Sequence, residues 1–303
     1  MPAGSPDPAS EEPLFGRVAI IGIGLLGSSL AHALRLDRLA GSIAIADRNP
    51  DHLATAERLG LGDSYSIDPA EATRGADLVV IAVPIGAFEE VGRRIGPVLA
   101  PGTIVTDTGS TKVSVVRDLG PHMPDGVHFI PGHPVAGTEY SGPEAGFAAM
   151  FHGRWCVLTP APGTDEAAVE RLMTLWRRCG MSVECMEASH HDQVMAMTSH
   201  LPHLIAFTIV GTATDLETHL RQEVLKFAAS GFRDFTRIAA SDPIMWRDIF
   251  LNNKEALLEV TQRMMEDLAR LQRAIRWGEG EEIENLIRRT REIRRALIEN
   301  RQA

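Results

Sequence analysis

The residues best suited to chemistry lie in one punctuated stretch, Pro131-Gly132-His133-Pro134-Val135-Ala136-Gly137-Thr138-Glu139-Tyr140-Ser141-Gly142-Pro143. Its glycines and prolines break both helical and strand periods, so a rigid loop is expected after the strand-like run Val127-His128-Phe129-Ile130. An imidazole at a strand's C-terminal end sits where open α/β sheets bind ligands, and it titrates near neutrality. His133 is therefore a candidate acid or base; the competing reading is a structural turn with a surface histidine. A second polar cluster, Asp107-Thr108-Gly109-Ser110-Thr111-Lys112, follows another strand-like run. Ser110 either bonds a substrate oxygen or His133, or caps a helix starting near Thr111. Lys112 is one of three lysines, with Lys226 and Lys254, and reads as structural or cofactor-facing.

Further along, His190, His191, His200 and His203 invite a metal reading, but there is no HExxH and no carboxylate at usual ligand spacing beyond Asp192. The metal-free alternative puts His190 and His191 at a helix start and one of His200 and His203, three apart on a helical face, in a ligand cleft. Arg233 and Arg237 are four apart. A guanidinium there either forks onto a substrate carboxylate or is ordinary surface charge.

The elements that position these groups begin with Arg17-Val18-Ala19-Ile20-Ile21, which enters Gly22-Ile23-Gly24-Leu25-Leu26-Gly27 and a helical segment from Ser28. In such a strand, turn and helix, Gly22 permits the turn, Gly24 admits a pyrophosphate to the backbone, and Gly27 lets the helix pack on the strand. The next strand, Ser42 to Ala46, ends in Asp47, placed for a ribose 2′-hydroxyl and hence for NAD over NADP. A plain strand-end aspartate remains open, as does Arg48 meeting a 2′-phosphate. Strands at 76–83, 102–107 and 127–130 alternate with helices, giving a doubly wound parallel sheet. Arg154 to Thr159 and Met181 to Met186 read as later strands, separated by a helix that starts at Thr164-Asp165-Glu166 and stops at Gly180.

From Ser189 the pattern is helical. Asp242 caps and Pro243 opens a long helix whose Leu257, Met264 and Leu271, interleaved with Thr261, Leu268 and Ile275, form an apolar seam. A second amphipathic helix carries Ile283, Leu286, Ile287, Ile293 and Leu297. The expected organisation is a tail over 1–13, a Rossmann sheet domain over 14–188 and an all-helical domain over 189–303 that dimerises.

Composition narrows the partners. Thirty basic against forty acidic residues give a net charge of -10, which disfavours a nucleic-acid surface. No run of membrane-spanning length is expected. Cys156, Cys179 and Cys185 form no CxxC pair, and the first dozen residues lack the features of an export signal, so a reducing cytoplasm is the expected setting.

Together, GIGLLGSSLA (22–31), DTGSTK (107–112), GHPVAGTEYSG (132–142), TSHLPHLIA (198–206) and GFRDFTRIAASDPIMWRDIF (231–250) resemble the prephenate and arogenate dehydrogenase family of tyrosine biosynthesis. The resemblance runs from about Phe15 to Arg301. It implies NAD-dependent oxidation of a cyclohexadienol with loss of CO2, in a cleft between a Rossmann domain and a helical dimerisation domain. By the same resemblance His133 is the catalytic histidine and general base for the ring hydroxyl, with Ser110 beside that hydroxyl. Arg237 holds a substrate carboxylate and His203 orients substrate, while His200, Glu139, Arg233, Asp234 and Trp246 fall near the cleft mouth or subunit interface; His200, Glu139 and Thr138 count with the substrate-binding residues. Gly22, Ile23, Gly24, Leu25, Leu26, Gly27, Asp47 and Arg48 carry over to the dinucleotide.

Two rivals share part of this pattern. A β-hydroxyacid dehydrogenase is expected to use a lysine in its helical domain, and no lysine lies between Lys112 and Lys226. A nonenzymatic nucleotide sensor would keep the glycine turn without needing His133 or Arg237.

Overall fold

The computed structural model describes residues 12–138, 140–215, 223, 226–227 and 229–299. The expected tail over 1–13 and Glu139 therefore lie wholly or mostly outside the described residues. Backbone contacts divide the chain into two compact units, Met1–Lys254 and Glu255–Ala303.

The first unit is built on a parallel six-stranded sheet in the order β3-β2-β1-β4-β5-β6. Its strands are β1 (Phe15–Ile21), β2 (Ala40–Ala46), β3 (Ser64–Ser66), β4 (Leu78–Ile81), β5 (Ile104–Asp107) and β6 (His128–Phe129). Strand β3 has no counterpart among the expected strands, because Ser64-Tyr65-Ser66 at the sheet edge is too short to show a hydrophobic period. The helices between are α1 (Leu25–Leu36), α2 (Pro50–Arg58), α3 (Pro69–Thr73), α4 (Phe88–Ile95) and α5 (Val113–Leu119).

Side chains of β1 and β4 alternate between two cores. Val18, Ile20, Leu78 and Val80 face one; Ala19, Ile21, Val79 and Ile81 face the other. Burial on both faces explains the unbroken apolar runs, each Val or Ile contributing about 1.5–3 kcal/mol. The register pairs Ile21 with Ala46, Ile21 with Ile81, and Ile81 with Asp107. The glycine turn, Asp47 and the Asp107 cluster thus leave one edge of the sheet, at the strand-order reversal beside β1 where such sheets bind ligands.

A smaller sheet, β7-β8-β9, follows, with β7 (Gly132–Pro134), β8 (Trp155–Leu158) and β9 (Ser182–Cys185). The stretch expected to be neither helix nor strand is therefore strand at its start, antiparallel to β8 with His133 opposite Val157. Its partner is over twenty residues away, so pairing overrides the local punctuation. Helix α6 (Glu166–Arg178) joins β8 to β9; Asp165 caps it, accepting from the Ala168 N–H at 2.7 Å.

The remaining helices of this unit begin with α7 (Ala188–Met195), one π-helical stretch (Ala196–His200) and α8 (Leu201–Thr214). Contrary to expectation, this continuous Ala188–Thr214 run is long and apolar enough to cross a membrane by length and composition. It carries His191, Asp192 and His200, all three buried and hydrogen-bonded within this unit. Next come α9 (Ser230–Thr236) and α10 (Pro243–Asn252). Asp242 caps α10, accepting from Met245 N–H at 2.7 Å, with Pro243 in the first turn. Ile85, just after β4, packs with Trp246 and Ile249 of α10 and with Phe207 and Phe250. The long helix expected from Pro243 is interrupted at Asn253, whose side chain is drawn into the buried polar cluster of the site.

The second unit contains the body of α11 (Lys254–Trp277) and α12 (Gly280–Glu299). Both helices expose large apolar side chains, among them Leu258, Met265, Leu268, Ile275, Ile287 and Ile293.

Candidate active site

At the turn after β1, Gly22 has φ 96°, and a Cβ on Gly27 would lie 2.0 Å from the Gly22 carbonyl oxygen, so α1 seats on the turn only without a side chain there. A Cβ on Gly24 would meet nothing within 4 Å. That open space in front of an α-helix N-terminus fits a dinucleotide's pyrophosphate, as the glycine spacing predicts. Asp47 accepts from Ile23 N–H at 2.9 Å and Asn49 N–H at 2.8 Å, binding the end of β2 to the turn. Each carboxylate oxygen retains acceptor capacity for a ribose hydroxyl. Arg48 is exposed.

Two residues past β5 the chain closes on itself. The buried Asp107 carboxylate accepts from Gly109 N–H (2.7 Å), Gly132 N–H (3.1 Å) and the Lys112 ammonium, which also donates to the Gly132 carbonyl at 2.6 Å. Both side chains are fully buried. Burial pushes the Asp107 carboxyl up and the Lys112 ammonium down from their ordinary values, and their contact opposes both shifts. With both carboxylate oxygens and two of the three ammonium protons hydrogen-bonded, we read the pair as charged. Lys112 is thus structural: it holds the β5 end to β7, one residue from His133.

Ser110 is half-buried in this turn and is not the cap of α5. The first free N–H groups of that helix, Lys112 and Val113, donate instead to Asp192 Oδ1 (2.7 Å) and Oδ2 (2.9 Å). A carboxylate from α7, 80 residues away, has replaced the expected serine cap, because it brings charge to the positive helix end. Asp192 Oδ1 also lies 2.8 Å from His191 Nδ1, and His191 Nε2 lies 2.8 Å from His133 Nδ1. The two imidazoles meet edge to face at 5.0 Å between centroids. Burial, then electrostatic repulsion from His191 when it is protonated, from the Lys112 ammonium and from His200 when it is protonated, holds His133 well below the ordinary histidine value. Burial lowers His191 as well, opposed by its bond to Asp192. His133 is therefore an uncharged imidazole near neutral pH, able to accept a proton.

His200, 1% exposed, closes the cluster from the π-helical stretch. Asn253 Nδ2 donates to the Asp192 carbonyl at 2.8 Å and lies 3.0 Å from His200 Nδ1. The carbonyl can only accept, so the Asn253 atom is the amide nitrogen and His200 Nδ1 is the acceptor. His200 Nε2 then carries the ring proton as a buried donor without a partner among the described residues, and the Trp246 Nε1–H is another. Burial lowers His200 to about 4. His203 stacks on Trp246 at 3.6 Å and 21°, and its Nδ1 donates to Ser199 O at 2.9 Å. Burial and the Arg237 charge lower its pKa, the Ser199 bond acting against them. Arg237 and Arg233 are exposed, and Thr138 is exposed with its Oγ1 accepting from Tyr140 N–H at 3.3 Å.

The structure thus brings His133, His200 and the Asp107 to Lys112 turn together and places Arg237 within electrostatic reach of His203. Reasoning from sequence missed His191 and Asn253 as parts of this cluster and took Asp192 only as a possible metal partner. A His-Asp pair at a helix start was the available signal, and it is too common to single out.

A dinucleotide-type sheet with an uncharged, buried imidazole at its binding edge defines the class as a nucleotide-dependent oxidoreductase. The comparisons make it specific: residues 30–185 match "Prephenate dehydrogenase, nucleotide-binding domain" and residues 187–289 match "Prephenate dehydrogenase, dimerization domain". The chain belongs to the prephenate dehydrogenase family, whose members are oxidoreductases. The first match begins after the glycine turn, so evidence for that turn comes from the structure. The chain is 38% identical over 284 residues to the cyclohexadienyl dehydrogenase of Zymomonas mobilis, covering 94% of this chain and 97% of that one. Among solved structures, prephenate dehydrogenase from A. aeolicus in complex with hydroxyphenyl propionate and NAD+ superposes with TM-score 0.86 at 34% identity, covering 93% of this chain and 98% of that one. Arogenate dehydrogenase from Synechocystis gives TM-score 0.79 at 26% identity, with coverage of 92% and 98%.

Proposed function

We propose that this protein catalyses the NAD-dependent oxidative decarboxylation of prephenate, arogenate or both, to 4-hydroxyphenylpyruvate or tyrosine. The observation that carries this reading is His133: a buried imidazole kept uncharged, hydrogen-bonded on one nitrogen, at the binding edge of a nucleotide-binding sheet. The dinucleotide, when bound, supplies the hydride acceptor. His133 accepts the hydrogen bond of the ring hydroxyl and takes its proton as the carbonyl forms. Ser110 lies on the adjoining turn to orient that hydroxyl, and the unpartnered His200 Nε2–H is a donor for a substrate oxygen. Arg237, with His203, engages a substrate carboxylate. Thr138 and Glu139 border the site by sequence, and Glu139, outside the described residues, is where a carboxylate could favour arogenate's ammonium.

Preference for NAD rests on Asp47, which faces the turn and repels a 2′-phosphate. A homodimer through the helical segment beyond residue 188 is supported by the match to a dimerization domain and by the exposed apolar side chains of α11 and α12. The cytoplasm is the proposed location, in keeping with three unpaired cysteines.

The test is NADH formation from each substrate with each dinucleotide. His133→Asn should lower kcat by about 10²–10⁴-fold, the usual weight of a general base, while Arg237→Gln should mainly raise KM. Background rates for the wild type on both compounds would end the assignment.

A further inference from the structure

We propose that Asp192 and His191 are positioning residues that fix the tautomer of His133, so that the proton sits on Nδ1 and the Nε2 lone pair faces the substrate. This rests on the reading of His133 as the base. Asp192 receives N–H groups from Lys112 and Val113, one on each oxygen, and backbone N–H groups can only donate. The side chain is therefore the acceptor in its 2.8 Å contact with His191, whose Nδ1 must carry a proton. A neutral imidazole protonated at Nδ1 has a bare Nε2. The 2.8 Å contact from His191 Nε2 to His133 Nδ1 then requires His133 to donate there, which leaves its own Nε2 unprotonated. Four contacts with one consistent donor direction, all toward Asp192, decide the atom that does the chemistry.

The chain of bonds holds only while His191 is uncharged, since an imidazolium would present a second N–H and reverse His133. Burial keeps it so. The ionisable groups around the two rings are Asp192 on α7, Asp107 on β5, Lys112 in the turn before α5, His200 on the π-helical stretch and Cys156 on β8. The two lysine and aspartate charges of the turn are paired with each other. Asp192 is then the group that sets direction. When His133 Nε2 takes the hydroxyl proton, the O–H bond breaks, the N–H bond forms, and the positive charge on the ring is shared through Nδ1–H and His191 toward the carboxylate. The same carboxylate caps α5 and so places the Ser110 turn, linking the base and that serine through one side chain. His191 and Asp192 lie in the segment that matches the dimerization domain, while His133 lies in the nucleotide-binding one.

The test combines spectroscopy and kinetics. In protein labelled with 15N-histidine, the His133 ring, assigned by its loss in His133→Gln, should show a protonated Nδ1 and an unprotonated Nε2 at pH 7.5. His191→Met removes the acceptor and should lower kcat about 100-fold or more with KM within about 3-fold, and should move the acid limb of the kcat profile. His191→Gln, whose amide oxygen can accept from Nδ1–H, should restore kcat to within about tenfold of wild type. An Nε2–H tautomer in the wild-type spectrum overturns the proposal, whatever the activity. So does a His191→Met enzyme with wild-type kcat and pH profile. A wild type inactive on both dienols would instead overturn the function, and the spectrum would still report the tautomer.

Discussion

Replacing Lys112 by methionine isolates what the buried pair behind His133 contributes. The ammonium donates to Asp107 and to Gly132 O at 2.6 Å; its removal leaves a carboxylate with no exposed surface and two backbone donors. Breaking a buried pair from one side costs about 3–5 kcal/mol. Protonation sets a ceiling, because neutralising a carboxyl of ordinary pKa at pH 7 costs about 4 kcal/mol, at roughly 1.36 kcal/mol per pH unit. The expected loss at pH 7 is thus about 3–4 kcal/mol, read as the shift in urea unfolding at one protomer concentration. Its pH dependence is diagnostic. In the variant the folded Asp107 pKa is raised above the unfolded value, so the folded state binds the extra proton and the loss shrinks by up to about 1.4 kcal/mol per unit as pH falls from 7 toward 4. Adding Asp107→Asn should make the protein more stable at pH 7 than Lys112→Met alone, since no buried charge then remains. A loss below about 1 kcal/mol at pH 7, or one that does not change between pH 7 and 5, would refute a charged pair at this place.

His200 supplies a second pH signature. Its folded pKa of about 4 lies below the unfolded value, so the unfolded state binds more protons between. Its contribution is complete above about pH 6.5 and is lost as pH falls toward 4, by about 3 kcal/mol. The melting temperature of His200→Gln should accordingly fall less over that window than that of the wild type. The glycine turn separates packing from ligand binding: Gly27→Ala places a Cβ 2.0 Å from Gly22 O and should lower both melting temperature and NAD affinity, the latter about tenfold or more. Gly24→Ala, with nothing within 4 Å, should leave melting unchanged and weaken only NAD binding in a fluorescence titration.

Much of the frame was legible because its signals are local. The run Val18 to Ile21, the spacing of Gly22, Gly24 and Gly27, the helix start around Asp165 and the cap at Asp242 each act within a few residues, so pattern and structure agree. His133, Ser110 and the histidines of the helical segment were also visible as candidates by type and place. Their connections were not. Gly132–Pro134 is strand only because β8 lies alongside; α5 is capped by a residue 80 positions away; and Asn253 interrupts a helical period to reach His200 and the Asp192 carbonyl. Sequence by itself determined a sheet that binds a dinucleotide and an imidazole at its edge. Tertiary structure decided the electrical state of that imidazole, since burial and donor direction come from groups that meet only after the chain has folded.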